Sequence, residues 1–239
     1  PYIVNKPFLK KVVVITGASS GIGRATALEF LKQGAHVVNL DLTPIPTGLQ
    51  TTREQKFIQI TVDVSDYEAV KKAAKQAGEK FGHVDYLVNN AGIFGGRRLA
   101  ETSTEAFDEV MNTNVRGTFF CCRAAFVQMK KQGGGTILNM SSVAGVQAWS
   151  GTGTYSASKH AIMALSKALA DEGRAHRIKV SAICPGGVAD DLVDASAGER
   201  AGSEKIDPFD IAETALYLAC LGPQSAVHQI VVDRIGADW

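Results

Sequence analysis

The sequence predicts an α/β fold, a doubly wound sheet of seven parallel strands with helices on both faces, built as a single domain over residues 1–239. Three observations predict it. Short β-rich runs alternate with longer stretches of helical period. Most of the short runs are apolar throughout, as in Val12-Val13-Val14-Ile15 and Tyr86-Leu87-Val88, which suits strands buried on both faces. No internal repeat and no linker rich in Pro, Gly or Ser divides the chain, and 239 residues suit one α/β core.

In chain order, the first strand (11–16) runs through a glycine-rich turn into a helix at 21–33. The second strand (35–41) ends in Asp41 and is followed by a loop at 42–55 carrying Pro44 and Pro46. A third strand (57–62), a helix (66–81) and a fourth strand (84–89) come next. A long helix at 104–131 leads to the fifth strand (135–140), and a second long helix at 154–172 to the sixth (178–184). A polar loop of small residues at 189–206, a helix at 208–220 and a seventh strand (229–233) complete the pattern. In such sheets ligands bind beyond the carboxyl ends of the strands, where both loops begin.

Composition narrows the function classes. Lys and Arg number 25 against 24 Asp and Glu and are scattered, so there is no basic footprint for nucleic acid or anionic lipid. Residues 1–11 show no charged-then-apolar leader and no apolar run approaches membrane-spanning length, so a cytoplasmic protein is expected. Cys121, Cys122, Cys184 and Cys220 lack a C-x-x-C spacing and read as small buried hydrophobes. The five His show no metal-ligand spacing, so no metal is expected. Function is to be sought in a pocket.

The turn Thr16-Gly17-Ala18-Ser19-Ser20-Gly21-Ile22-Gly23 joins the first strand to the first helix. Glycines there allow a tight turn and a close approach of backbone N–H groups to a pyrophosphate, and the helix N-terminus attracts the anion. The placement between strand and helix predicts a Rossmann-like dinucleotide site over a plain strand-to-helix turn, with Gly17, Ser19, Ser20, Gly21, Ile22 and Gly23 as candidate cofactor residues. Asp41, 24 residues beyond Gly17, is placed for the adenosine ribose. Its carboxylate accepts bonds from both ribose hydroxyls and repels a 2′-phosphate, which favours NAD over NADP. Ser19, Ser20 and the position after Asp41 supply no cation for such a phosphate.

Tyr155 and Lys159 lie four apart in a helical pattern, hence on one face. Bringing a tyrosine from its ordinary pKa of roughly 10 to neutrality corresponds to about 4 kcal/mol, which a nearby ammonium helps to supply. Tyr155 would then give a proton to a carbonyl oxygen or remove one from an alcohol. Ser142, at the end of the fifth strand and thirteen residues earlier, is placed to polarise that carbonyl. Asn114 is a polar residue in an apolar helical setting; holding the backbone or a water is as good a role for it as catalysis.

From about residue 10 to residue 233 the chain resembles the classical short-chain dehydrogenases/reductases. The resemblance rests on T-G-x-x-x-G-I-G at 16–23, Asn89-Asn90-Ala91-Gly92, Y-x-x-x-K at 155–159 and Pro185-Gly186 after a strand. It implies Tyr155 as catalytic acid/base, Lys159 as the residue that lowers its pKa and holds the nicotinamide ribose, Ser142 as the substrate-orienting group and Asn114 as a proton-relay residue. It further implies Asp63 with Val64 beside the adenine, Asn90, Ala91 and Gly92 along the cofactor, and Pro185, Gly186 and Val188 near the nicotinamide. Metal-free hydride transfer with NAD and a homotetramer joined through the helices at 104–131 and 154–172 are also implied. Three departures stand out: Asp190 where a threonine is common, a loop at 189–206 that is shorter than usual by about 5–10 residues, and Arg234 and His228 where small residues are usual.

Candidate substrate residues are Ile93, Phe94, Val143, Gln147, Trp149 and Gly187, with Arg97 and Arg98 beyond them for an anionic group. A cyclic or polyol-like secondary alcohol and a 3-oxoacyl thioester both fit. A catalytically silent NAD-binding sensor or scaffold is the rival reading, which the joint presence of Ser142, Tyr155, Lys159 and Asn114 disfavours.

Overall fold

The structure, a computed structural model, describes residues 8–45, 56–189 and 205–236. Its strands are β1 (Val12–Thr16), β2 (His36–Asp41), β3 (Phe57–Thr61), β4 (Tyr86–Asn89), β5 (Gly135–Met140), β6 (Ile178–Pro185) and β7 (Gln229–Val232). They form one sheet in the order β3-β2-β1-β4-β5-β6-β7, and every pair is parallel. The chain reverses its winding between β1 and β4, and the crevice above that switch point is where such sheets bind ligands.

The apolar strands are buried on both faces, as their sequences require. Val12 and Val14 face one core with Val70 of α2 (Tyr67–Phe81), Cys121 and Met129 of α4 (Thr118–Gln132) and Ala170 of α5 (Gly153–Arg174). Val13 and Ile15 face the other, with Phe30 of α1 (Gly21–Lys32) and Ile211 and Leu216 of α6 (Pro208–Cys220). Each such side chain contributes about 1.5–3 kcal/mol by leaving water, so both faces hold the sheet. No described helix is long and apolar enough to cross a membrane.

The helix expected to run unbroken over 104–131 does not. The short helix α3 (Thr104–Val110) passes into a π-helical turn, Met111–Gly117, before α4 resumes. There Thr118 N–H bonds to the Val115 carbonyl rather than to Asn114, as a regular helix would require. The turn packs closely on the β3–α2 connection: a Cβ on Gly117 would stand 2.7 Å from Val64 Cγ2. A second correction concerns Cys220, which is exposed at the end of α6; the other three cysteines are buried. Helix α6 turns Ile211, Ala212, Ala215, Leu216 and Ala219 inward, which leaves Cys220 on the outer side.

Residues 46–55 of the first loop and 190–204 of the second, Asp190 included, lie outside the described residues. The ends of the second segment are joined by a parallel bridge between Val188 and Ile206.

Candidate active site

A cleft of about 870 Å³ opens along the carboxyl ends of the strands, within the range of small-molecule sites. Its floor is made by fastening three loops together. Thr16 Oγ1 accepts from the N–H groups of Asn90 at 3.0 Å and Ala91 at 2.9 Å, and Asn90 Nδ2 donates to the Gly17 carbonyl at 3.0 Å. The turn after β1 and the turn after β4 are thereby one unit. Asn114 adds the π turn: its Oδ1 accepts from Ile93 N–H at 2.8 Å, and its Nδ2 donates to the Ile93 carbonyl and to Ser158 Oγ, both at 3.0 Å.

At one end, Gly17, Ser20, Gly21 and Ile22 line the cleft. Side chains of Asp66, Ser103 and Asp207 cap α2, α3 and α6, whereas Ser20 makes no such bond at the start of α1. The first N–H groups of α1 are thus left for a ligand, and a Cβ on Gly21 would meet nothing within 4 Å. A pyrophosphate fits this cradle in charge and space. Gly23 does not line the cleft; it packs against the Gly17 carbonyl, where a Cβ would overlap it. Ser19 also departs from expectation as a cofactor contact. It is buried, and its hydroxyl donates to the Thr43 carbonyl at 2.5 Å, so it faces the protein. Leu40, Asp41, Leu42, Val62, Asp63, Val64 and Ser65 complete this end.

At the other end stand Met140, Ser141, Ser142, Tyr155, Lys159, Pro185, Gly186, Val188 and Ala189. Ser142 Oγ accepts from Ala144 N–H at 3.1 Å and donates to the Pro185 carbonyl at 3.4 Å. Burial pushes the Tyr155 phenol above its ordinary value, with the Ser142 hydroxyl pulling in the opposite direction. Lys159 is buried, its Nζ 5.6 Å from the Tyr155 ring centroid and donating to the Met140 carbonyl at 2.9 Å. Burial pulls its ammonium down to about 8. In the protein alone, therefore, desolvation outweighs any lowering of the phenol by Lys159.

Of the expected substrate residues, Ile93 and Phe94 line the cleft and Val143, Gln147, Trp149 and Gly187 do not. A 3-10 turn at Val143–Gly145, capped by Ser142, carries the chain away from the cleft. The Arg234 side chain lies beside Gly187, with Cδ 3.5 Å from where a Cβ would be. Nothing in the structure explains His228. Arg97 and Arg98 are exposed and off the cleft. Glu109, Asn112 and Thr113 line it without having been anticipated. Asn112 and Thr113 lie in the π turn and Glu109 in the last turn of α3 just ahead of it, and their residue types carry no sign of this placement.

Residues 11–200 match the short chain dehydrogenase family. The chain is 41% identical over 187 residues to the 2-(R)-hydroxypropyl-CoM dehydrogenase of Xanthobacter autotrophicus, covering 74% of each. It is 35% identical over 237 residues to the farnesol dehydrogenase of Aedes aegypti, covering 95% of this chain and 96% of that one. The solved structure of ElxO with NADP bound superposes with a TM-score of 0.84 at 33% identity, over 94% of this chain and 98% of that one. The chain therefore belongs to the short-chain dehydrogenase family, oxidoreductases of alcohols and ketones that use a nicotinamide cofactor.

Proposed function

We propose that this protein is an NAD(H)-dependent oxidoreductase that interconverts a secondary alcohol and a ketone, with Tyr155 as its acid/base. The observation that carries the reading is the meeting of Ser142, Tyr155 and Lys159 at one end of a cleft whose other end presents Asp41. A nicotinamide bound in the cleft supplies or takes up the hydride.

Tyr155 gives its phenolic proton to the carbonyl oxygen in reduction and takes the alcohol proton in oxidation. Ser142, lining the same end of the cleft as Tyr155, orients the same substrate oxygen. Lys159, at about 8, is mainly protonated at neutral pH; its charge favours the phenolate, and it holds the nicotinamide ribose. The side chain of Asn114 is engaged by Ile93 and Ser158, so its share in a proton relay is to hold the backbone that borders the cleft. Ser20, Gly21 and Ile22 hold the pyrophosphate and Asp63 and Val64 border the adenine. Asn90, Ala91 and Gly92 flank the cofactor, and Pro185, Gly186 and Val188 border the nicotinamide. Phe94 walls the substrate side, its ring edge-on to Tyr155 with centroids 4.9 Å apart.

ElxO carries NADP. Here Asp41 faces the cleft, and among the described residues Lys159 is the only Lys or Arg that lines it, which supports NAD(H). The test is steady-state oxidation of a panel of secondary alcohols with NAD and with NADP. Faster turnover with NAD is expected, and Tyr155→Phe should lower kcat by about 10²–10⁴ while NADH still binds. A preference for NADP, or a Tyr155→Phe variant with undiminished turnover, would overturn the reading.

A further inference from the structure

We propose that Asn39 and Gln59, neither of which lines the cleft, are positioning residues that set the discrimination between NAD(H) and NADP(H) by immobilising the Asp41 carboxylate. The inference rests on the role given to Asp41 above. Asn39 of β2 and Gln59 of β3 are direct partners across the sheet, and the Asn39 side chain is fully buried. Its Oδ1 accepts from Ala18 N–H at 3.0 Å, and its Nδ2 donates to Gln59 Oε1 at 2.8 Å and Ser19 Oγ at 3.2 Å. Gln59 Nε2 in turn donates to the Thr43 carbonyl at 3.3 Å, which also receives the Ser19 hydroxyl.

These bonds close on the carboxylate. Asp41 Oδ2 accepts from Ser19 N–H at 2.9 Å, and Oδ1 accepts from Thr43 N–H at 3.1 Å. Each oxygen is thus fixed by a backbone donor whose own residue is held by one of the two amides, Ser19 by Asn39 and Thr43 by Gln59. A carboxylate that can rotate moves away from an incoming 2′-phosphate and relieves the repulsion. One held at both oxygens keeps its charge and its remaining lone pairs in place, so ribose hydroxyls find acceptors and a phosphate finds a fixed like charge. Buried amides that only supported the fold would weaken both cofactors alike. These two act on the one group that distinguishes them.

Dissociation constants for NADH and NADPH, measured by fluorescence titration with thermal melting alongside, test this on the full chain, Gln59→Leu, Gln59→Glu and Asp41→Ala. Gln59 sits on the sheet's edge strand and is half-buried, which makes it the safer position to change. The parent should favour NADH. Gln59→Leu should narrow the NADPH-to-NADH ratio by about tenfold with little change in Tm. Gln59→Glu keeps an acceptor for Asn39 but loses the donor to Thr43, so it should narrow the ratio less; if Gln59→Leu fails to fold, any narrowing in Gln59→Glu decides the matter. A ratio unchanged in both Gln59 variants while Asp41→Ala abolishes the preference overturns the inference alone. A parent without preference for NADH overturns the reading of Asp41 and the inference with it.

Discussion

Asn114 binds both main-chain groups of Ile93, taking its N–H at 2.8 Å and giving to its carbonyl at 3.0 Å, so one buried amide fixes the strand-end segment that borders the cleft. Asn114→Leu leaves both Ile93 groups and Ser158 without that partner. The expected loss of stability is about 2–4 kcal/mol, read by denaturant unfolding, with kcat lowered at least tenfold in the fraction that folds. Asn114→Asp keeps the acceptor and should recover part of both losses; a fully active Asn114→Leu would remove the residue from the proposed relay.

Lys159 gives the protein a distinctive alkaline profile. Its folded value, about 8, lies below the ordinary 10.5, so between these values the unfolded chain holds a proton that the folded chain has released. Stability from this group therefore rises with pH across that window and is lowest below about 8. Unfolding measured at pH 7.5 and pH 10 should show the parent gaining roughly 2–3 kcal/mol relative to Lys159→Met. Comparison with the variant removes the opposing effect of Tyr86, whose phenol burial pushes up to about 12. A difference that stays constant between the two pH values would show that the ammonium is not desolvated.

Gly23 is expected to tolerate no side chain. A Cβ there overlaps the Gly17 carbonyl and stands 2.5 Å from Asn90 Nδ2, so the backbone that cradles the pyrophosphate has to move. Gly23→Ala should weaken NADH binding by more than tenfold in titration calorimetry, whereas Gly21→Ala meets open space and suffers mainly from its φ of +48°. Equal affinities for the parent and Gly23→Ala would show that the close packing of this turn is unnecessary for binding.

Phe94 and Gly96 should behave as a pair. A Cβ on Gly96 would collide with the tip of the Phe94 ring, so Gly96→Ala pushes the ring off Tyr155. Both Phe94→Ala and Gly96→Ala should raise KM for alcohols with bulky apolar groups more than for polyols, by about tenfold if one aromatic contact of ~1.5 kcal/mol is lost. NADH affinity should not change. If only one of the two variants shifts KM, the ring and the glycine do not act together.

Much of this was legible in the residues. The all-apolar runs marked strands buried on both faces, the glycine turn lies at the start of α1, and the spacing of Tyr155 and Lys159 brings both to one cleft with Ser142. What escaped the sequence has physical causes. Neighbouring serines at 19 and 20 look equivalent until Asn39 and Thr43 turn the first inward. The π turn needs one residue beyond an α-helical turn, and nothing in Met-Asn-Thr-Asn-Val-Arg-Gly distinguishes it from a regular helix, so Asn112 and Thr113 went unseen. Closeness in sequence to Ser142 suggested Val143, Gln147 and Trp149, but a single capped turn directs the chain elsewhere.

The bridge between Val188 and Ile206 couples the wall of the cleft to the core. Ala189 N–H donates to the Ile206 carbonyl at 3.0 Å and Ile206 N–H to the Gly187 carbonyl at 2.9 Å, so the backbone just beyond β6 is clasped to the residue two places ahead of α6. Val188 and Ala189 border the cleft, while Ile206 is buried in the core with Ile211 and Leu216 of α6. A change in how α6 packs is therefore carried to the edge of the cleft through two backbone hydrogen bonds, without passing through the sheet.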